Sequence, residues 1–255
     1  MTSRALSFGS VAAAYERFRP GYPGALVDAV LAYAGGPVAT ALEIGAGTGK
    51  ATRVFAARGL AVTATEPDAA MLAELERHVP DSVRTVRATF EELPLTSTYD
   101  LVYAAAALHW TRAEGRWERA AKLLEPGGVL ASFGGPLDLA DPGLEDAVRC
   151  ARAPWLADDD VPSPDGTPDS AAMQWPGTEL SRSELFTDVR QVELDRRTTV
   201  SALDYVGLLS TVSAYLELPP IDREAAFGRI LAVLPPQVDV VGDITLHLAR
   251  LASDG

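Results

Sequence analysis

Apolar residues along the chain fall into short unbroken runs separated by segments with helical spacing. VATALEI (38–44), LAVTAT (60–65), SVRTVRA (82–88), the opening of YDLVYAAAAL (99–108) and VLASFG (129–134) read as five strands. Runs this continuous suit strands covered on both faces. Between them, KATRVFAARG reads as a helix closed by Gly59. A second helix, capped by Asp68, carries Met71, Leu72 and Leu75 on its apolar face, and a third runs through WERAAKLL to a stop at Pro126 and Gly127-Gly128. Strand and helix alternate from 38 to 134. That alternation predicts an α/β fold, a doubly wound, mostly parallel sheet with right-handed crossovers.

Residues 135–187 break the rhythm, with Pro, Gly and Asp concentrated in GGPLDLADPG and ADDDVPSPDGTPDS and a helix expected near 143–152. The pattern predicts a lid or insertion after strand five, with a mobile part near 157–170. Order returns with DVRQVEL (188–194) as a sixth strand. One helix is expected over 201–218, opened by Ser-x-x-Asp, and another over 222–234. ITLHLARL (244–251) closes a seven-stranded sheet. Four regions are expected: an N-terminal helical segment (1–37), a core (38–134), the lid (135–187) and a C-terminal part completing the sheet and a substrate pocket (188–255).

Composition narrows the partners. The 255 residues carry a net charge of −13, with 35 acidic against 22 basic side chains. Such a field repels polyanions, so no nucleic-acid partner is expected. No apolar run is long enough for a membrane span, and the first residues lack the core of a secretory signal. With Cys150 as the lone cysteine, a cytoplasmic location is expected. Three scattered histidines and one cysteine predict no metal site. The oligomeric state, monomer or homodimer, stays open.

Ligands of doubly wound sheets bind beyond the carboxyl ends of the strands, and the glycine-rich stretch ALEIGAGTGKAT (41–52) lies there. A phosphate loop would need Gly at 44 and Ser or Thr at 51, where Ile44 and Ala51 stand. The nicotinamide fingerprint would need a third glycine where Lys50 stands. What remains is Glu43-x-Gly45-x-Gly47-x-Gly49, a tight turn preceded by a carboxylate. Glu66 ends the next strand, where an acid can take both ribose hydroxyls. A ribose, a positive charge and no phosphate describe S-adenosylmethionine.

With LEIGAGTG, ATEPDAAML, ATFEELPL, YDLVYAAAALHW and LLEPGGVL in that order, residues 10–135 resemble the class I S-adenosylmethionine-dependent methyltransferases. VAAAYERFRPGYP (11–23) together with ALHW (107–110) is similar, more narrowly, to the trans-aconitate methyltransferase-like branch and its actinobacterial small-molecule relatives. The resemblance implies that Glu43 and the turn Gly45, Ala46, Gly47, Thr48 and Gly49 wrap the methionine part of the cofactor. It implies that Glu66, followed by Pro67 and Met71, holds the ribose, and that Thr89, Phe90 and Glu91 border the adenine. Thr89-Phe90 departs from the Asp-Ala often found there. Ala104 and Ala105 would close the pocket floor, and Tyr15 and Arg19 would come over the methionine carboxylate or the substrate.

Methyl transfer from a sulfonium needs an in-line nucleophile and exclusion of water, and a base only where the nucleophile arrives protonated. His109 is the candidate base, with a pocket-shaping role as the alternative. Tyr22, Trp110, Trp155 and Trp175 are the substrate-wall candidates, with anchoring of the insertion to the core as the alternative for Trp155 and Trp175; Arg149, Arg152 and Arg182 are the candidate partners of an acidic substrate, with solvent exposure as the alternative for each. His78 reads as solvated and His247 as structural. The expected function is methylation of a small molecule at O, N or C, in secondary metabolism. The competing readings are a binding module that kept the fold and a nicotinamide-dependent oxidoreductase.

Overall fold

A computed structural model describes residues 8–157, 163–168 and 170–252. Part of the stretch expected to be mobile, 158–162 and 169, lies outside the described residues, as does most of the first ten. The chain opens with a short turn and α1 (Ala12–Phe18) and α2 (Gly24–Ala34). The alternating core follows: β1 (Thr40–Ile44), α3 (Lys50–Ala56), β2 (Ala61–Thr65), α4 (Ala69–His78), β3 (Arg84–Val86), β4 (Tyr99–Ala105), α5 (Arg116–Lys122) and β5 (Leu124–Gly134). Then come β6 (Asp138–Leu139), α6 (Pro142–Arg152), α7 (Gly177–Leu180), β7 (Phe186–Leu194) and β8 (Arg197–Ser201). The chain ends with α8 (Ala202–Leu209), α9 (Ser213–Leu216), α10 (Pro220–Val233), β9 (Gln237–Val241) and β10 (Ile244–Leu251).

The main sheet has seven strands in the order β3-β2-β1-β4-β5-β10-β7. β1 to β5 pair in parallel, and β10 runs antiparallel to both β5 and β7. The doubly wound, mostly parallel sheet expected from the alternation is the one observed. The central strands bury both faces. One face packs Phe55, Tyr103 and Phe133 with α2 and α3, the Phe55 and Tyr103 rings stacking at 4.1 Å. The other packs Leu42, Val102, Leu130 and Leu108 with α5 and α7. Full burial of such side chains is worth about 2–3 kcal/mol each, so the two layers hold the strand ends rigidly.

Three details differ from the sequence pattern. The helix expected over 201–218 breaks at 210–212, because Ser210 Oγ donates to Gly207 O at 2.6 Å and Thr211 Oγ1 to Leu208 O at 2.7 Å. Hydroxyls that bond back to the preceding turn offer the chain an exit from the helix. β5 begins five residues early: Leu124 pairs with Tyr99 and Val129 with Leu101, the surplus residues turning through Gly127 at φ +74°. A second, three-stranded sheet, β6-β9-β8, was not expected. It joins the first residues after β5 to two strands of the C-terminal part, as QVDVV turns Val238 and Val240 into a third apolar cluster.

The N-terminal helix is fastened across the carboxyl end of the sheet. Glu16 accepts from Thr48 Oγ1 at 2.6 Å and from Arg53 Nη2 at 2.9 Å, and Lys50 Nζ donates to its carbonyl at 2.6 Å. Phe18 lies so close to α8 that a Cβ on Gly207 would come within 2.6 Å of its ring. Lys50, which spoils the nicotinamide fingerprint, thus ties α1 to the glycine turn.

Candidate functional site

Where β1, β2, β4 and β5 end, a cavity of about 1350 Å³ opens. Its first wall is the glycine turn. Gly45 and Gly47 adopt φ +64° and +58°, and a Cβ on Gly45 would meet Ala107 at 2.7 Å. The turn therefore needs glycine both for its backbone and for the close approach of the β4 loop. Glu66, at the end of β2, takes the Gly47 N–H on one carboxylate oxygen and the Asp68 N–H on the other, each at 2.9 Å. Burial raises its pKa, and those two N–H groups oppose the rise. Asp68 caps α4 by accepting from Ala70 and Met71 N–H, which seats Met71 in the same wall. Thr89, Phe90 and Glu91 continue it, fixed by a capping box between Thr89 and Glu92 and by Arg119 Nε donating to Phe90 O at 2.7 Å.

The second wall comes from β4 and the segment around α7. Ala106 is held at φ +51°, uncommon for a residue with a side chain, and turns the chain into the Leu108–Trp110 turn. His109 stacks against Trp110 with ring centroids 4.5 Å apart. Arg116 latches the end of that turn: Nε donates to Thr111 Oγ1 and Nη2 to Thr111 O, both at 2.8 Å. Arg116 is 2% exposed and lies over the Trp175 ring at 5.1 Å, with Glu179 at 3.7 Å. Burial, reinforced by the Arg116 charge, brings the His109 imidazole down to about 4, so the ring is neutral at physiological pH.

Most residues singled out from the sequence meet at this cavity. Tyr15, Arg19, Gly45, Gly47, Glu66, Pro67, Met71, Thr89, Phe90, Glu91, Ala105, His109, Trp110 and Trp175 line it, as do Arg149 and Arg152. Ala46, Thr48 and Tyr22 line a small annex between the glycine turn and the N-terminal segment, so Tyr22 sits behind that turn and packs edge-on against Phe133. Arg19 already donates to Thr211 Oγ1 at 2.8 Å and to Thr211 O at 3.2 Å, which ties α1 to the break between α8 and α9.

Four expectations are corrected. Glu43 is 0% exposed and lines neither space; it accepts from Thr52 Oγ1 at 2.5 Å and Tyr103 Oη at 2.9 Å, and burial drives its pKa up to about 8. Gly49 is a packing position, where a Cβ would meet Leu75 at 2.7 Å. Ala104 points into the core beneath the cavity floor. Trp155 lies off the cavity under the Arg229 guanidinium, 5.3 Å from its ring, and so pins α10 to the end of α6. Arg182 is exposed and outside the lining, in keeping with the alternative reading of it. Ser132 and His247 also line the cavity, the first missed and the second read as structural, and Arg116 was missed. The available signal for the first two was a polar residue at an inward register of an otherwise apolar strand.

Glycine turn, acid and aromatic wall together fit S-adenosylmethionine: a backbone cradle with Lys50 where a pyrophosphate site needs its third glycine, and a carboxylate at the end of the next strand. Among the described residues no group of His, Cys, Asp and Glu side chains is placed to hold a metal ion, and no helix is long and apolar enough to cross a membrane.

Comparison with known proteins gives a consistent result. Residues 42–132 match the family model described as a methyltransferase domain. An uncharacterized methyltransferase of Mycobacterium bovis is 33% identical over 233 residues, covering 90% of this chain and 86% of that protein. A Saccharomyces cerevisiae protein named a probable S-adenosylmethionine-dependent methyltransferase is 31% identical over 124 residues, 46% of this chain and 43% of that one. Among solved structures, one described as a type II methyltransferase from Anaeromyxobacter dehalogenans superposes with a TM-score of 0.63 at 23% identity, over 93% of this chain and all of the other, a likeness of fold. On sequence, fold and the geometry of its sheet edge, the chain belongs to the class I S-adenosylmethionine-dependent methyltransferases.

Proposed function

We propose that the protein transfers the methyl group of S-adenosylmethionine to an O, N or C atom of a small molecule of secondary metabolism, with no nucleic-acid or membrane partner. The observation that carries this reading is the continuity of one cavity from the glycine turn and Glu66 to His109, Trp110 and Trp175. At about 1350 Å³ it exceeds the roughly 300–1,000 Å³ of an ordinary ligand pocket, as a site for two molecules side by side should.

The bound cofactor supplies an already activated methyl group. This chain's residues do the rest. Gly45 and Gly47 let the backbone approach the methionine part, and Glu66 takes the ribose hydroxyls. Thr89, Phe90 and Glu91 border the adenine. Tyr15 and Arg19 close over the methionine end from α1. His109, neutral and beside Trp110, takes a proton from an acceptor that arrives protonated, while Trp110 and Trp175 exclude water and hold the acceptor in line.

Glu66→Ala should weaken binding of S-adenosylhomocysteine by about 1–3 kcal/mol, the cost of leaving buried hydroxyls unpaired. Glu66→Gln, which keeps the shape, should lose less. Isothermal titration calorimetry on the folded variants decides it, and an affinity equal to wild type would show that Glu66 does not hold the ribose.

A further inference from the structure

The methyltransferase reading gives no task to two polar groups that face each other on adjacent strands of the cavity wall. His247, on β10, lines the cavity and is 3% exposed. Ser132, on β5, is its cross-strand partner, lines the same cavity and is 8% exposed. Directly opposed residues of an antiparallel pair project from the same face with Cβ atoms about 5 Å apart. The two polar heads therefore stand side by side on the cavity wall.

The tautomer of His247 follows from its neighbours. Gln191 Nε2 donates to Glu193 Oε1 at 2.9 Å, and Gln191 Oε1 accepts the Gln174 backbone N–H at 2.8 Å. Both contacts orient the Gln191 amide the same way. His247 Nε2 lies 2.9 Å from that same Oε1, so Nε2 must carry the ring proton. The Cδ2–Nε2 edge is filled by protein, since a Cβ on Gly177 would come 2.8 Å from Cδ2. The ring's further contact, with the Gln174 backbone, falls on the same Nε2 side, because the Gln174 N–H shares Gln191 Oε1 with Nε2. The opposite edge, with Nδ1, is left to the cavity that His247 and Ser132 line. Glu193, which also accepts from Thr245 Oγ1 at 2.9 Å, thus fixes Gln191, and Gln191 fixes His247.

We propose that Ser132 Oγ and His247 Nδ1 form an anchor for a hydroxyl group on the methyl acceptor, His247 accepting the hydroxyl proton and Ser132 donating to its oxygen. The pair sits on the face that carries Trp175 and the Leu108–Trp110 turn. The substrate class it selects is a hydroxylated molecule seated beside Trp110 and Trp175. A carboxylate would set its lone pairs against that of Nδ1. This deepens the methyltransferase reading and rests on it for the word acceptor. The residues are specificity-determining, and His109 keeps its separate role.

The test uses the full chain without cofactor, with phenol, anisole and benzoate as probes. The chain has three histidines, so ¹⁵N-histidine spectra are simple to assign by His→Gln variants. His247 should show a bare Nδ1 and a protonated Nε2, and phenol should shift Nδ1 where anisole does not. His247→Gln retains a donor toward Gln191 and replaces the Nδ1 acceptor by an amide oxygen carried on a different atom of the side chain. It should weaken phenol about tenfold and anisole not at all, and Ser132→Ala should weaken phenol about threefold. A proton on Nδ1, phenol binding no tighter than anisole or benzoate, or phenol affinity unchanged in His247→Gln would each overturn the anchor. The tautomer measurement on wild type stands even where a variant fails to fold. Absence of S-adenosylhomocysteine binding would overturn the methyltransferase reading instead, and these spectra do not depend on it.

Discussion

Between pH 4.5 and 8 the wild-type protein should lose, relative to Glu43→Gln, on the order of a few kcal/mol of unfolding free energy. Glu43 sits with no exposure between Thr52 and Tyr103, and burial raises its carboxyl to about 8. In the unfolded chain the same group titrates near 4.5. The folded state therefore holds a proton that the unfolded state releases across this window. Stability contributed by the protonated acid is complete below about pH 4.5 and fades as pH rises through about 8. Gln keeps an acceptor for Thr52 and Tyr103 and cannot ionise, so its urea-derived stability should be flat by comparison. Parallel pH profiles for the two proteins would mean that Glu43 is ionised in its buried place. The consequence for the site is direct: a protonated Glu43 lends no negative charge to the glycine turn, and that task passes to Glu66.

His109→Ala should lower turnover about 100-fold on any hydroxyl or amine acceptor that the wild type methylates, with S-adenosylhomocysteine affinity retained. The Leu108–Trp110 turn is latched by Arg116 through Thr111, not by His109 itself, so removing the ring should leave the turn in place. The wild-type rate should be level through neutral pH and fall only as the medium approaches about 4, where the buried imidazole takes up its proton. Single-turnover transfer of a labelled methyl group gives both numbers. A loss confined to KM would make His109 a wall of the acceptor site.

The sheet was legible because its central strands are buried on both faces and bounded by Gly and Pro punctuation. Ile44, Thr65, Ala105 and Gly134 end strands within a few residues of the expected places. The glycine turn was legible for a different reason: two positive φ angles and a 2.7 Å approach to Ala107 leave Gly45 no substitute. Glu43 and Gly49 belong to the same motif and yet face the core, because motif membership says nothing of which way a side chain turns. Tryptophans next to an insertion are equally ambiguous in sequence: Trp175 lines the cavity and Trp155 supports a helix. The small second sheet escaped notice because Asp138–Leu139 is two residues long and its pairing partner lies about a hundred residues downstream. Arg116 and His247 act through contacts set by tertiary packing, Arg116 on Thr111 and His247 on Gln191 across a strand pair. The helix break at 210–212 depended on two hydroxyls bonding backwards, which spacing of apolar residues does not record.

The central claim is that the sheet edge between Gly45 and Glu66 cradles an adenosyl sulfonium. Titration calorimetry with S-adenosylhomocysteine, run beside NADH, tests it most directly. One S-adenosylhomocysteine per chain and no heat from NADH is the expected result; no binding of S-adenosylhomocysteine, or saturable binding of NADH in its place, would contradict it.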